Sequence, residues 1–441
     1  MELVIKVIIT YDGSKFNTYH SYKSLKFAGA IQRKICLFMD KIRLVEAGNE
    51  LGLGGTEYVL QLFSKYLNKE HFDVTVIAIH KGGTRVKLIK DLEIPVMILN
   101  GNMNQLAEII KNTDVFHWHA SELMDASLLE VLKKHRPKMV IQTNVFGDYE
   151  YSPYYDLIDY DLYISKMLLI RRIYEDSLDP KNMPSDFFTS KRKVLSNPVD
   201  VDQIISLLPS ETEINEFKEF NNLKGHFIIG RIGRADNHKF DLITLDGFAE
   251  FLKRESKAKF LLIGATTEMI THATSLGISD QLIIFDTTSD LKKLLLYYRS
   301  LDVFVAASNI GESFGMVIAE AMTVGVPVIT ISTQNKDNGQ VELVDNDVTG
   351  LVVERDSYQI AEAIFHLVHN KNKRMQLSIA SNDKIIREYD AKKIVGSLEQ
   401  LIFQHLHLNT VSNYNSLIKN YSLELFNDYQ ARCSNLWSTN F

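Results

Sequence analysis

The chain has 441 residues, 45% hydrophobic and 24% charged, with a formal net charge of -6. That balance excludes an intrinsically disordered chain, and the missing basic excess gives no reason to expect a nucleic-acid partner. The length suits two domains of ordinary size rather than one. Cys36 and Cys433 lie near opposite ends, so they form neither a disulfide framework nor a cysteine metal cluster, and they point to a reducing compartment. The opening residues MELVIKVIITYDGSK lack a basic leader followed by a long apolar core, and no apolar run is long enough to cross a bilayer. A cytoplasmic protein is expected.

Residues 1–40 read as an N-terminal extension. Val4 to Thr10 has strand character, and Ser21 to Met39 has the spacing of an amphipathic helix. Lys23, Lys26, Arg33 and Lys34 make that helix locally positive, which suits a solvated face and also allows a peripheral membrane contact. From Lys41 the pattern sharpens. IRLVEAG predicts a buried strand, NELGLGG a loop, and TEYVLQLFSKYLNKE a helix with Val59, Leu60, Phe63 and Leu67 on one side. FDVTVIAIH then predicts a second strand, completing a parallel βαβ unit. Its glycines, Gly52, Gly54 and Gly55, fall short of a dinucleotide fingerprint, because Glu57 stands where the third glycine would be. No Gly-Lys-Ser/Thr follows, so it is not a P-loop. Gly54 and Gly55 still permit backbone N–H groups to approach a phosphate or sugar at a helix start; the plainer reading is a tight strand-to-helix turn.

The alternation continues through strands at Ile94 to Asn100, Asp114 to His119 and PKMVIQTN, with helices at Asn102 to Asn112 and Ser121 to His135. DLYISKM and KRKVLSNPVD are expected to be the last strands of this half, with an irregular segment over 171–190. His117 and His119 alternate to one side of their strand and Trp118 to the other. A zinc pair there lacks an evident third ligand, so no metal is expected. Ser196 to Asp200 reads as the exit from the first domain. The second half repeats the layout. GHFIIGRIGR is a strand ending in a basic loop. Asp241 to Arg254 is a helix, AKFLLIGA and QLIIFDTT are strands, and Leu291 to Tyr298 is a helix leading into the strand LDVFVAAS. Ser308 to Pro327 follows as a polar turn and a short helix, with Glu312 in the turn and Glu320 in the helix. Gly339 and Glu342 suggest a further helix start near a ligand, and 358–369 and 373–405 read as helices. The expected class is α/β: two doubly wound Rossmann-like domains facing a central cleft. The expected divisions are 1–40, 41–200, 201–382 and a C-terminal section 383–441 able to pack back on the first domain.

In such sheets ligands collect beyond the carboxyl ends of the strands. Arg231 leaves its strand there and Lys239 follows the loop, so both cations suit a diphosphate; Arg234 competes with Arg231, and plain surface charge is the simpler alternative. Glu312 and Glu320 suit sugar and ribose hydroxyls, since an acid among apolar neighbours needs hydroxyls or cations to meet it.

Five features fall in one order: the G-G-T-E loop, the H-W-H strand end, G-R-I-G-R with the later lysine, E-S-F-G-M-V-I-A-E-A-M, and V-D-N-D-V-T-G-L-V-V. Together they resemble the retaining, nucleotide-sugar-dependent glycosyltransferases of the two-Rossmann-domain (GT-B) fold, glycosyltransferase family 4, also called glycosyl transferases group 1. The resemblance covers about residues 41 to 400. The long approach before the first glycine loop departs from it.

The resemblance implies that Glu320 binds ribose and Glu312 the donor sugar, while Phe314 and Gly315 shape the phosphate pocket through their backbone. It implies that Arg231 and Lys239 stabilise the departing diphosphate, that Gly54 and Gly55 close over the sugar-phosphate, and that His119 touches the sugar. Phe285 and its neighbouring backbone would receive the base. It further implies a UDP- or GDP-sugar donor, a glycan, lipid-linked or other hydroxyl acceptor, no cofactor, no divalent metal and retention of configuration. An inactive nucleotide-sugar-binding relative and a nucleotide-sugar epimerase are the alternatives.

Overall fold

The computed structural model describes residues 9–11, 14–16, 40–120, 124–147, 153–175, 191–408 and 415–434. The expected helix at Ser21 to Met39, Cys36, and all of the Val4 to Thr10 strand before Ile9 lie outside these. The chain divides into units Met1–Lys41 and Ile42–Phe441. In the first, β1 (Ile9–Tyr11) and β2 (Ser14–Phe16) form an antiparallel pair.

The second unit holds two Rossmann-like α/β domains. The first sheet contains β3 (Ile42–Glu50), β4 (Phe72–Lys81), β5 (Val96–Ile98), β6 (Val115–Ala120), β7 (Met139–Asn144), β8 (Tyr160–Tyr163) and β9 (Arg192–Val194). These run in parallel in the order β9-β8-β7-β6-β3-β4-β5. The second contains β10 (Phe227–Ile232), β11 (Ala258–Ile263), β12 (Leu282–Phe285), β13 (Val303–Ala306), β14 (Val328–Ile331) and β15 (Leu351–Val353). Its order is β12-β11-β10-β13-β14-β15, again parallel. Parallel strands are covered on both faces, which is why VFVA and VITI read as unbroken apolar runs and are buried throughout. In each sheet the strand order reverses beside its first strand, between β3 and β6 and between β10 and β13. Crevices open beyond the carboxyl ends at such reversals.

The C-terminal helices join the two domains. Helix Ala391–His405 places Ile394, Val395, Leu398, Leu401 and Ile402 in one core with Ile42, Leu44, Val59, Leu60 and Phe63 of the first domain. Just before it, the Val199 N–H donates to the Tyr389 carbonyl at 2.8 Å and the Ala391 N–H to the Val199 carbonyl at 2.9 Å. The outgoing and returning passages between the domains are therefore tied together. β16 (Lys419–Asn420) then pairs antiparallel with β9.

Two readings change. The strand expected over DLYISKM stops at Tyr163, and helix Lys166–Glu175 replaces the first part of the irregular segment expected over 171–190. The reason lies far away in the chain. Glu342, in helix Gln340–Leu343, accepts hydrogen bonds from the backbone N–H groups of Lys166 at 3.0 Å and Met167 at 2.8 Å. A carboxylate at a helix start meets the orphan N–H groups and the positive end of the dipole. Glu342 thus caps a helix of the other domain, and no local signal announces that cap.

Candidate active site at the two strand reversals

The second sheet gathers most of the predicted residues. Arg231 is near the end of β10, and Lys239 follows in the next loop. Glu312 is in the loop after β13, the strand beside β10. The Lys239 ammonium lies 3.0 Å from Glu312 Oε2 and 3.4 Å from the Gly311 carbonyl. Arg231 is only 4% exposed. Its Nη2 donates to the Lys239 carbonyl at 2.8 Å, and its Nη1 to the Ile232 carbonyl. A Cβ on Gly233 would sit 2.7 Å from Arg231 Nη1, so a glycine there leaves room for the guanidinium. Burial lowers the pKa of Arg231, with Glu312 and then Tyr298 opposing. In this arrangement Arg231 braces the loop that carries Lys239, and its buried Nε has no hydrogen-bond partner.

The loop from Gly311 to Gly315 is shaped by close backbone approach. Gly311 (φ 73°) passes so near Asp337 that a Cβ would overlap its carbonyl oxygen, and Gly315 (φ 103°) opens helix Met316–Thr323. Both conformations disfavour side chains. The Gly339 N–H donates to the Glu312 carbonyl at 2.6 Å, and the Glu312 N–H to Gln340 Oε1 at 3.1 Å, which fixes the loop on the start of the next helix. Phe314 is buried with its ring edge-on to Tyr389 at 5.6 Å. Glu320, about one turn along the helix, accepts a hydrogen bond from the Tyr298 hydroxyl at 3.0 Å. Burial raises its carboxyl to about 7, with only the Tyr298 hydrogen bond opposing. A hollow of about 420 Å³ beside this group is lined by Arg234, Ala235, Asp236, Asn237, His238 and Thr266.

From the first domain, Gly54 and Gly55 stand at the start of helix Gly55–Tyr66, as cap and first residue. Tyr58, on that helix, lies close enough to feel Glu320: its phenol is raised by burial first and by the Glu320 carboxylate next. The glycine-loop helix and the helix of Glu320 therefore approach one another across the domains. Arg85 stacks on the Tyr58 ring at 5.2 Å.

Two predicted residues stand apart. Phe285 ends β12 half-buried, stacked on Tyr297 at 5.1 Å and tilted against Phe217 at 5.8 Å. Its carbonyl accepts from the Gly264 N–H at 2.9 Å. His119 is not an open residue of the crevice. It is 2% exposed, and its Nε2 is 2.5 Å from Glu46 Oε2. Glu46 is also 3.0 Å from His117 Nδ1. Glu46 was absent from the sequence reading, although a carboxylate inside IRLVEAG was a visible oddity. Tyr298 and Asp337 were missed as well. Asp337 accepts from the Ser313 hydroxyl at 2.7 Å and pairs with Arg171 of the first domain. Nothing in local spacing separates these from ordinary core and loop residues.

Residues 213–384 match the family model described as Glycosyl transferases group 1. The chain is 26% identical over 188 residues to a phosphatidyl-myo-inositol mannosyltransferase of Mycobacterium leprae (strain TN), covering 42% of this chain and 49% of that protein. The chain thus spans about half the length of that curated relative, and 26% and 37% of two others that it matches. Among solved structures, a glycosyltransferase from Rickettsia africae ESF-5 superposes with a TM-score of 0.70 at 19% identity, over 83% of this chain and 99% of that one. Anabaena Alr3699/HepE, solved with UDP and glucose, gives 0.63 at 18% identity, over 82% and 99%. These likenesses establish the two-domain GT-B fold. Among the described residues no helix is long and apolar enough to cross a membrane.

Proposed function

From a chain whose residues 213–384 carry a group 1 glycosyltransferase domain on a GT-B fold, we propose a retaining glycosyltransferase. It moves a sugar from a nucleotide-sugar donor to a hydroxyl of a glycan, a lipid-linked sugar or another acceptor. The observation that carries this reading is the Lys239–Glu312 pair at 3.0 Å, held over the buried Arg231 at the carboxyl ends of adjacent strands. A diphosphate entering there takes the Lys239 ammonium as its counter-charge and frees Glu312 for sugar hydroxyls. Charge that develops on the leaving phosphate is met by Lys239, by Arg231 behind it, and by the N-terminal end of helix Met316–Thr323. The pocket needs no bridging divalent cation for this. Phe314 and Gly315 fix the backbone that faces the phosphates.

Glu320 takes the ribose as a carboxylate, although burial holds its carboxyl near 7. A ribose diol supplies the hydroxyls that make its charged form acceptable. The hollow lined by Arg234, Asn237 and Thr266 extends the same site. Phe285 offers the base its backbone rather than its packed ring. Gly54 and Gly55 close from the other domain, and His119 supports that side from beneath, through the strand that ends at the reversal. With acceptor attack and phosphate departure on one face, the departing oxygen takes the acceptor proton, and closure excludes water that would otherwise capture the sugar. The UDP of the Anabaena complex makes UDP-sugars the first donors to try. The mannosyl and inositol-lipid words in the relative's name add GDP-mannose and lipid acceptors. The proposed place of action is the cytoplasm, with peripheral contact to a membrane where the acceptor is lipid-linked. The proposed divisions remain 41–200 and 201–382, with 383–441 returning to the first domain.

The test is a transfer and hydrolysis screen over a panel of nucleotide sugars, with the product anomer read by NMR. Retention with one donor supports the proposal. A product epimerised on the nucleotide, or nucleotide binding without turnover for every donor and acceptor tried, overturns it.

A further inference from the structure

One side chain that the transfer chemistry has not used joins the strand ends of the two domains. Arg171 lies in helix Lys166–Glu175 of the first domain. Its Nη1 donates to Asp337 Oδ1 of the second domain, and its Nη2 to the Phe146 carbonyl, just past β7 of the first. The Arg171 and Asp337 side chains are 32% and 17% exposed, so the pair is shielded better than an ordinary surface ion pair. We propose that Arg171 is a positioning residue for sugar transfer. It clasps the turn at Phe146 and Gly147 to the loop around Asp337. On the reading of the cleft as a transfer site, it thereby sets how far an acceptor on the first domain stands from a donor sugar at Glu312.

Three observations carry this. First, the Asp337 end of the clasp is built into the loop of Glu312. Asp337 Oδ2 accepts from the Ser313 hydroxyl at 2.7 Å, and the Asp337 carbonyl accepts from the Thr333 hydroxyl at 2.5 Å. Gly311 crosses that carbonyl so closely that a Cβ would lie 1.6 Å from its oxygen, and a Cβ on Gly339 would lie 2.4 Å from the Ser313 carbonyl oxygen. The Glu312 N–H is held by Gln340, and the Glu312 carbonyl by the Gly339 N–H. Residues 311–313 and 337–340 are therefore interlocked, and a pull on Asp337 is a pull on Glu312. Second, the first-domain end has room for the guanidinium. Gly147 has φ 78°, and a Cβ there would stand 3.2 Å from Arg171 Nη2. The Gly147 N–H donates to Asn144 Oδ1 at 2.7 Å, which ties the turn to the end of β7. Third, the helix of Arg171 is gripped a second time by the same segment. Glu342 receives the N–H groups of Lys166 and Met167 one turn earlier, so two points of the helix rest on residues 337–342. Both partners of the guanidinium are oxygen acceptors. Without it, a carboxylate and a carbonyl from opposite domains lose the donor they share, and closure of the cleft costs more. A planar guanidinium serves two acceptors in a fixed fork, which an ammonium does not reproduce. Misplacement of reacting groups by about 1 Å can cost about 10²-fold in rate, so a clasp remote from the sugar still acts on turnover.

The experiment uses the full chain and the variants Arg171→Ala, Arg171→Lys and Asp337→Asn. Amide hydrogen exchange, read by mass spectrometry, needs no substrate. Arg171→Ala should speed exchange about tenfold across 311–315 and 337–342, with the rest of the second sheet unchanged. With an accepted donor, kcat for transfer should fall about tenfold or more while nucleoside diphosphate affinity stays within about twofold. Donor hydrolysis should fall less than transfer, because water needs no registered acceptor. Added ethylguanidinium should restore part of the transfer rate in Arg171→Ala and none in Asp337→Asn, and Arg171→Lys should lie between the wild type and Arg171→Ala. Unchanged exchange in both segments of Arg171→Ala overturns the clasp. Faster exchange with an unchanged ratio of transfer to hydrolysis overturns the positioning role. If the wild type turns over no donor, it is the transfer reading that fails, and the exchange comparison still decides the clasp. Should Arg171→Ala not fold, Arg171→Lys and Asp337→Asn carry the same comparisons.

Discussion

Glu46 and Glu320 are both acids inside an α/β domain, each near a strand reversal, yet they are driven to opposite states. Burial pushes both toward the neutral form. At Glu46 the charges and hydrogen bonds of His117 and His119 outweigh burial and bring the carboxyl down to about 2. At Glu320 one phenol opposes burial, and the carboxyl stays up at about 7. The difference bears on the role proposed for Glu320. The charge of the first is met by the two histidines of the folded protein itself. Among the described residues the second has one opposing hydrogen bond, from Tyr298, which fits the proposal that it meets ligand hydroxyls.

The sharpest way to break that comparison is at the cation beside Glu312. Lys239→Ala should lower turnover about 10²–10³-fold while the melting temperature barely moves, because Lys239 is partly exposed and its ion pair with Glu312 is partly solvated. Unchanged kcat/KM would remove the second sheet's claim to be the working side.

Glu320→Gln comes next. The folded carboxyl lies near 7, above its unfolded value near 4.5, so its contribution to stability is full below about 4.5 and is lost as pH rises through 7. The glutamine variant should therefore gain on the wild type across that window, by up to about 3 kcal/mol in denaturant titrations. Nucleoside diphosphate affinity of the wild type should rise with pH through about 7, and the variant should lose that dependence in calorimetry. A parallel pH profile for both would mean that Glu320 does not meet the ribose.

Glu342→Ala strips the cap from helix Lys166–Glu175 and should destabilise the chain by about 2–3 kcal/mol, read from thermal or denaturant unfolding. The smallest effect is expected of Tyr298→Phe. Loss of its hydrogen bond should move the Glu320 midpoint further up and weaken nucleotide binding at pH 7 by about 1 kcal/mol, with little change at high pH.

The fold class and the residues of the second-sheet group were legible because their signals are local. Apolar runs of strand length give the parallel strands, and Gly311 and Gly315 mark backbone that only glycine adopts comfortably. The acid, loop and helix of Glu312 to Glu320 form one continuous stretch. Helix Lys166–Glu175 was misread because its cap is Glu342, and His119 was expected in the open crevice because its partner Glu46 is on another strand.

The sequence by itself determined two Rossmann-like sheets, the order of their elements and which loops lie at strand carboxyl ends, since hydrophobic period and glycine placement are properties of a few consecutive residues. Only the tertiary structure decided charge and pairing: that Arg231 is buried beneath Lys239, that the Tyr298 hydroxyl meets Glu320, and that Glu46 meets two histidines. Those outcomes depend on distances between segments far apart in the chain and on the water that packing removes, and neither quantity is written in any local stretch.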